Sequence, residues 1–264
     1  MPQRLSNKEL AHLPKEVARP GYDRSKVKPG ILHFGVGAFH RSHQALTIDR
    51  LLEKGLANDW GIIGVGLLAG DSKMRDALNP QDCLYTLITK HSDGKVDYQV
   101  IGSIISYLFA PDNPAKVIEA ICDPAIRIIS LTITEGGYSF DRVTGEFDPT
   151  TASVAHDLKD SSAPVSAFGF IYEGLKKRKE LGLPAPTIQS CDNIQGNGDV
   201  AKKMMVAFAK LKDPQFADWM EANVAFPNSM VDRITPQTAP GDIELDRKST
   251  RLNSSHVSES RMPS

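Results

Sequence analysis

The sequence has little cysteine, no excess of either charge and no long apolar run. Its three cysteines, Cys83, Cys122 and Cys191, lie far apart, which excludes a disulfide framework and a cysteine-based zinc site. The 31 basic and 32 acidic residues give a net charge of -1, so the chain as a whole offers no attraction for nucleic acid or an anionic membrane. No apolar stretch approaches the ~20 residues that span a bilayer, and the polar N-terminus lacks the apolar core of a signal peptide. These absences predict a cytoplasmic protein that acts on small molecules.

The order of apolar and amphipathic segments predicts an α/β protein. Short apolar runs typical of buried strands alternate with stretches in which apolar residues recur at helical spacing. The predicted strands are 30–36, 60–67, 83–90, 98–103, 126–134 and 187–191, and the predicted helices are 42–54, 71–78, 113–122, 165–181 and 199–211. Asp93-Gly94 is typical of a hairpin turn between the third and fourth strands. The alternation indicates a doubly wound, mainly parallel sheet that helices cover on both faces.

The last part of the chain differs in character from the rest. Residues 246–264 are rich in serine and show neither helical nor strand periodicity, so their composition predicts disorder. This stretch also resembles a translated sequencing adapter, which would make it foreign to the natural protein. We therefore expect one folded domain over 1–245, a non-native disordered tail over 246–264, and a chain that represents only part of its natural protein.

The first candidate for a ligand site is the segment GVGAFHRSHQ, which runs from Gly35 to Gln44 after the first predicted strand. Gly35 and Gly37 supply half of a dinucleotide-binding fingerprint, because glycines at this spacing let the backbone turn tightly and approach a pyrophosphate at a helix N-terminus. The usual third glycine is replaced by His40. A purely structural turn is the alternative, and the strand–turn–helix setting favours nucleotide binding over it.

An acidic residue just beyond the second strand is expected to contact the ribose hydroxyls of an adenosine. Asp71 lies at this position. The alternative interpretation is an N-cap for the helix 72–78, and the two roles are compatible. Residues 68–70 include no arginine that could hold a 2′-phosphate, which favours NAD over NADP.

Two other patterns indicate structure rather than chemistry. His40 and His43 have the HxxH spacing of a metal pair, but no further ligands cluster nearby in the sequence, so we predict no metal site. Tyr172 and Lys176 have the YxxxK spacing of short-chain dehydrogenases. The glycine pattern of that family is absent, and Tyr172 lies in an amphipathic helix, so a core position is predicted for it.

Four ordered motifs resemble those of the polyol-specific long-chain dehydrogenases/reductases: GVGAFHRSHQ (35–44), TITEGGY (132–138), SCDNIQGNG (190–198) and FPNSMVDRITP (226–236). The resemblance covers about residues 5–245 and implies that 1–245 is an N-terminal, NAD-binding Rossmann-type domain. The mostly helical C-terminal domain of the family would be missing from this chain. The resemblance also implies metal-free oxidation of a polyol to a ketose (D-mannitol to D-fructose) by a monomeric full-length enzyme with a lysine as general acid/base.

Carried over to this chain, the resemblance assigns roles to individual residues. Asn193 would be a catalytic amide that polarises the reacting oxygen, a role worth ~3 kcal/mol. The residues implied to contact the substrate are Asn193, Val231, Asp232 and Arg233. The contacts implied for NAD are Gly35, Val36, Gly37, Phe39, His40, Asp71 and, near the nicotinamide, Glu135. The residues alone also allow Asn193 to be a turn residue and Asp232 and Arg233 to form a local ion pair.

Several alternatives to this function fit the sequence. Gly70 stands where close relatives carry an acid, which weakens the preference for NAD over NADP. A uronate-type relative such as fructuronate reductase shares the first and last motifs. A non-catalytic dinucleotide-binding module would need Gly37 but neither Asn193 nor Asp232. A methyltransferase with a glycine-rich turn would bind S-adenosylmethionine and ignore NAD.

The family's catalytic lysine belongs to a Lys-x4-Asn-x2-His signature in the second domain. Lys248, Asn253 and His256 match this spacing. They follow Asp232 much more closely than in the family, and the surrounding polar stretch would bury almost nothing. We therefore interpret the match as fortuitous.

Overall fold

The computed structural model describes residues 4–141, 143–233, 235–236 and 238–250, and the backbone of 257–261. The strands are β1 Val17–Ala18, β2 Pro29–Phe34, β3 Gly61–Gly66, β4 Tyr85–Lys90, β5 Val96–Ile101, β6 Ile104–Phe109, β7 Ile128–Leu131, β8 Thr187–Ser190 and β9 Val257–Arg261. The α-helices are α1 Ala45–Glu53, α2 Ser72–Leu78, α3 Pro114–Ile121, α4 Ala152–Lys159, α5 Ala167–Glu180, α6 Asn197–Lys212, α7 Pro214–Asn223 and α8 Pro240–Thr250. Every strand and helix expected within 30–211 is present, with ends shifted by a few residues.

The centre of the fold is a parallel sheet of five strands in the order β6-β3-β2-β7-β8. Leu32 of β2 is in register with Ile63 of β3 on one side and with Ile129 of β7 on the other. The chain first builds outward from β2 through β3 to β6, and then returns to build outward through β7 and β8. The direction of winding therefore reverses between β2 and β7, as in a doubly wound fold.

Each face of this sheet buries its own apolar cluster, which explains why its strands are apolar along most of their length. On one face, Leu32 and Phe34 pack in a cluster with residues of α3, α5, α6 and α7. On the other face, Ile62 and Ile104 pack with Ala45 of α1 and Leu78 of α2. Helices thus cover both faces, and the predicted α/β class and mainly parallel sheet are confirmed. No helix in the described ranges is both long and apolar enough to span a membrane.

A second, mixed sheet was not expected from the sequence. It has the order β1-β5-β4-β9, in which β4 and β5 are antiparallel neighbours. The predicted hairpin turn is present, with the Asp93 carboxylate accepting a hydrogen bond from the Lys95 amide at 2.9 Å. Strand β6 had no separate signal in the sequence, since it follows β5 after only two residues and pairs with β3 in the other sheet.

Two described segments near the C-terminus have regular secondary structure. Helix α8 extends through Asp246 to Thr250, and β9 adds a parallel strand to β4. The helix is anchored by Asp242, whose carboxylate lies 2.7 Å from the Lys90 ammonium. The edge of β4 offers backbone N–H and C=O groups that can pair with a chain of almost any composition, which explains a strand without a strand-like sequence.

Candidate functional site

The main candidate site lies where the winding direction reverses. A cleft of about 580 Å³ opens at the carboxyl ends of β3, β2 and β7, the place where doubly wound sheets bind their ligands. Along the sheet edge, its wall passes from Leu67, Leu68 and Asp71 after β3, through Gly35 to Gly37 after β2, to the segment after β7, where it is lined by Thr132, Ile133, Thr134, Gly136 and Gly137. The site is therefore elongated and spans three neighbouring strand ends.

The turn after β2 needs its two glycines for different reasons. Gly35 has φ +92°, and a Cβ atom there would overlap the carbonyl oxygen of Thr132. A Cβ atom on Gly37 would meet only the Gly35 carbonyl oxygen, at 3.8 Å, because this residue faces open space. Gly35 thus lets β2 and β7 approach each other, whereas Gly37 leaves the backbone accessible from the cleft.

Two stacked histidines support the turn from inside. The His33 and His40 rings lie 3.5 Å apart with 10° between their planes, and both side chains are buried. Nδ1 of His33 contacts the Ser130 hydroxyl at 2.8 Å, and its Nε2 contacts the Gly35 carbonyl oxygen at 3.1 Å. Burial lowers the pKa of His40 to about 4 and that of His33 well below its usual value. Both rings are therefore neutral at pH 7.

Arg41 brings a buried positive charge to the same turn. Only 4% of the residue is exposed, and its Nη1 donates a hydrogen bond to the Val36 carbonyl oxygen at 3.1 Å. Burial lowers the pKa of Arg41 to about 10, so the guanidinium remains charged at neutral pH. The wall of the cleft at Val36 is thus backed by a cation, which favours an anionic ligand.

Asp71 lines the cleft, but its carboxylate does not cap α2 as the sequence suggested. Its Oδ2 accepts hydrogen bonds from the Leu67 and Leu68 amides, each at 2.9 Å. The side chain therefore points back to the end of β3 rather than forward along the helix. This arrangement presents a fixed carboxylate at one end of the cleft.

A second cavity of about 450 Å³ adjoins the other end of the cleft. It is lined by Thr134, Glu135, Gly136, Asp192 and Asn193, and it shares Thr134 and Gly136 with the cleft. Glu135 and Asn193, predicted from separate motifs, are thus brought to one pocket. Thr134 has φ 63° and ψ 167°, a conformation that normally requires glycine and costs a threonine ~1–3 kcal/mol.

Asp192 holds this strained segment and was missed by the sequence analysis. Its two carboxylate oxygens accept hydrogen bonds from the Ile133 amide at 3.1 Å and the Thr134 amide at 2.8 Å. The Tyr138 hydroxyl donates to the same carboxylate at 2.8 Å. Burial raises the pKa of Asp192. The only sequence signal was its place beside Asn193 in the SCDNIQGNG motif.

The segment FPNSMVDRITP (226–236) is attached to this region by side-chain contacts on both sides of Asp232. The Ser229 hydroxyl donates to the Ser190 carbonyl oxygen at 2.5 Å, and the Thr235 hydroxyl contacts His43 Nε2 at 3.0 Å. The intervening Val231, Asp232 and Arg233 do not line either cavity in the described part of the chain. Partial burial, and then the charge of Arg233, lower the pKa of His43. The motif therefore runs from the end of β8 toward the turn after β2.

Comparisons with known proteins agree with this geometry. The profile of the family described as "Mannitol dehydrogenase Rossmann domain" matches residues 29–257. This chain belongs to the mannitol dehydrogenase family. The Mannitol 2-dehydrogenase of Aspergillus fumigatus is 46% identical over 248 residues, which are 91% of this chain and 49% of that protein. The Polyol:NADP oxidoreductase of Gluconobacter oxydans is 45% identical over 88% of this chain and 48% of that protein.

Two solved structures have the same fold as this chain. The Pseudomonas fluorescens mannitol 2-dehydrogenase, in a ternary complex with NAD and D-mannitol, aligns with a TM-score of 0.94 at 41% identity. The alignment covers 98% of this chain and 52% of that one. A D-sorbitol dehydrogenase in substrate-free form aligns with a TM-score of 0.91 at 42% identity. This chain thus spans about half the length of the relatives that it matches.

Several residues predicted from the family motifs lie away from the cleft lining. Phe39 packs against the His43 ring, with 5.1 Å between ring centroids, and His40 is buried in the stack with His33. Neither belongs to the cleft wall, whereas Gly35, Val36, Gly37 and Asp71 do. Tyr172 is a core residue, as predicted, and packs against Phe208 and Phe216. Within the ranges that the structure describes, no group of three His, Cys, Asp or Glu residues could hold a metal ion.

The apparent match to the family's lysine signature is also away from the cavities. The Lys248 side chain is 71% exposed on α8, and its ammonium pairs with Glu244 at 2.8 Å. Asn253 and His256 lie outside the described residues.

Proposed function

We propose that this chain is the NAD-binding part of a polyol dehydrogenase that interconverts D-mannitol and D-fructose. The observation that carries the proposal is the shared wall of two cavities: the cleft at the strand ends meets the pocket of Glu135 and Asn193 at Thr134 and Gly136. A dinucleotide in the cleft would thus end beside a pocket that offers an amide and a carboxylate. The relatives named as mannitol 2-dehydrogenases support this substrate class.

The lining of the cleft suits the chemistry of a dinucleotide. The Asp71 carboxylate suits ribose hydroxyls, the open backbone at Gly37 suits a pyrophosphate, and the buried Arg41 cation lies behind the turn. We place the nicotinamide half beside Thr134 and Gly136, because that end of the cleft is farthest along the sheet from Asp71. NAD, when bound, supplies the hydride acceptor for the oxidation.

The substrate pocket would combine Asn193 with groups from other segments. The Asn193 amide would donate a hydrogen bond to the substrate oxygen as negative charge develops on it. Asp232, with Val231 and Arg233 beside it, would bind substrate hydroxyls, and its anchored segment runs next to the β8 end. The general base would be a lysine from the other half of the protein, as the family resemblance implies.

Three further expectations belong to this proposal. The NAD-binding domain would comprise 1–245, with 246–264 as a non-native addition. The full-length enzyme would be a monomer of the cytoplasm, where the three free cysteines would stay reduced. This chain alone would bind the cofactor without turning over a polyol.

Two measurements test the proposal. Calorimetric titration of the 264-residue chain with NAD, NADP and S-adenosylmethionine should give heat with NAD, weaker heat with NADP and none with S-adenosylmethionine. A chimera that joins this chain to the second half of a mannitol 2-dehydrogenase should then oxidise D-mannitol with NAD. Absence of NAD binding, or a chimera that accepts uronates but no polyol, would contradict the proposal.

A further inference from the structure

Asp192 connects the end of β8 to a strained segment that lies between the two cavities. Only 8% of the residue is exposed, and its carboxylate receives hydrogen bonds from two consecutive backbone amides, those of Ile133 and Thr134. The second of these amides belongs to the residue with φ 63°, a value that a β-branched side chain disfavours. The carboxylate is thus attached where the backbone most needs an external restraint.

The carboxylate is itself fixed by surrounding residues. The Tyr138 hydroxyl, fully buried, donates to Asp192 at 2.8 Å and lies 2.6 Å from the Ser190 hydroxyl. The Asn197 side-chain amide holds the Asp192 carbonyl oxygen at 3.0 Å. The Tyr138 hydroxyl thus orients the carboxylate, and the Asn197 amide fixes the backbone of Asp192, so Asp192 is held by contacts other than those with the Ile133 and Thr134 amides.

The restrained segment forms the common wall of the cleft and the pocket. Thr134 and Gly136 line both cavities, and Glu135 lies between them at the start of a short 3-10 turn, Glu135–Tyr138. A peptide flip at Thr134 would therefore move this wall. The other end of the cleft, at Gly37 and Asp71, belongs to different loops and would stay in place.

We propose that Asp192 is a positioning residue, which holds Thr134 in its strained conformation and so shapes the wall between the nicotinamide end of the cleft and the Asn193 pocket. This inference rests on the proposed function, since it assigns the nicotinamide to that end. Asp192 itself is not assigned a contact with the substrate or the cofactor.

The test compares two ligands that differ only at the nicotinamide end. Binding of NADH and of ADP-ribose to the full 264-residue chain is measured for the unmodified protein and for Asp192→Asn. We expect about tenfold weaker NADH binding, the usual effect of losing a charged hydrogen bond, and little change for ADP-ribose. Asp213→Asn is the matched control, since Asp213 caps α7 through the Phe216 amide at 3.1 Å, and it should change neither affinity.

A second substitution separates positioning from general stability. Thr134→Gly removes the conformational penalty at this position, so the double variant Asp192→Asn/Thr134→Gly should recover NADH affinity. If Asp192→Asn does not fold, as judged by circular dichroism, Tyr138→Phe replaces it and should weaken NADH selectively but less. If Asp192 only stabilised the fold, Thr134→Gly would not restore NADH affinity in the double variant.

Failure of the proposed function and failure of this inference give different results. An unmodified chain that binds neither ligand would refute the proposed function, and this inference with it. If the unmodified chain binds NADH and ADP-ribose, and Asp192→Asn binds NADH with the same affinity, only the positioning role is refuted. Equal weakening of both ligands, or no recovery with Thr134→Gly, would also refute it.

Discussion

The His33 ring stacks on the His40 ring at 3.5 Å, directly beneath the turn that follows β2. His33 contacts Ser130 of β7 and the Gly35 carbonyl oxygen, so the stack connects the turn to both strands at the point where the winding reverses. Two neutral imidazoles can pack face to face, whereas two imidazolium ions at this distance would repel each other. The stability of the cleft is therefore linked to protonation of this pair.

The first prediction is that acid destabilises the chain through this pair. Burial lowers the pKa of His40 to about 4, against 6.5 for an unperturbed histidine, so the unfolded chain binds more protons between these two values. Stability is then fully present above pH 6.5 and falls as the pH decreases toward 4, by up to ~1.4 kcal/mol per pH unit for each histidine. Urea unfolding between about pH 7.5 and 4.5 should give a shallower dependence for His40→Phe than for the exposed control His12→Asn. Identical slopes would contradict the prediction.

The second prediction separates the two glycines of the turn. Gly35→Ala should lower the free energy of unfolding by ~1–3 kcal/mol, because φ is positive and the Cβ atom would overlap the Thr132 carbonyl. Gly37→Ala should leave stability within about 0.5 kcal/mol but weaken NAD, since its Cβ atom would occupy the approach of the pyrophosphate. Thermal unfolding and calorimetry measure the two effects. Gly241→Ala, also in open space, serves as the control for NAD affinity.

The sequence predicted the parts of the fold that local pattern determines. The apolar strands of the parallel sheet, the Asp93-Gly94 hairpin and the Gly35–Gly37 turn follow from periodicity and turn chemistry. Strand β6 was missed because only Gly102 and Ser103 separate it from β5, and nothing local shows that the two strands belong to different sheets. The direction of the Asp71 carboxylate and the role of Asp192 depend on backbone amides elsewhere in the structure, which no local pattern encodes.

The third prediction concerns Asp71. Asp71→Ala should weaken NAD binding by ~1–3 kcal/mol, the cost of losing a charged hydrogen bond. It should also narrow the difference in affinity between NAD and NADP. Because the carboxylate also holds the Leu67 and Leu68 amides, Asp71→Asn is the matched variant that keeps one acceptor oxygen there. Calorimetry with both cofactors measures these changes. Unchanged NAD affinity in the alanine variant would remove Asp71 from the site.

The fourth prediction concerns Asn193 in the chimera with the second half of a mannitol 2-dehydrogenase. Asn193→Ala should lower kcat about 100-fold and change KM much less. The reason is that a donor to developing oxyanion charge acts mainly in the transition state. Steady-state kinetics with D-mannitol measures both constants, and Gln195→Ala, at an exposed position of the same loop, is the control. An unchanged kcat with a raised KM would make Asn193 a ground-state binding residue.

The last prediction is that Lys248 contributes nothing to catalysis by this chain. A general base must lie within hydrogen-bond reach of the proton that it removes. The Lys248 ammonium is instead exposed on α8 and paired with Glu244, away from both cavities. The 264-residue chain, its Lys248→Ala variant and residues 1–245 should therefore bind NAD alike and all fail to reduce it with D-mannitol. Turnover by the full chain that disappears with Lys248→Ala, but not with the partner substitution Glu244→Gln, would show that this lysine is the catalytic base after all.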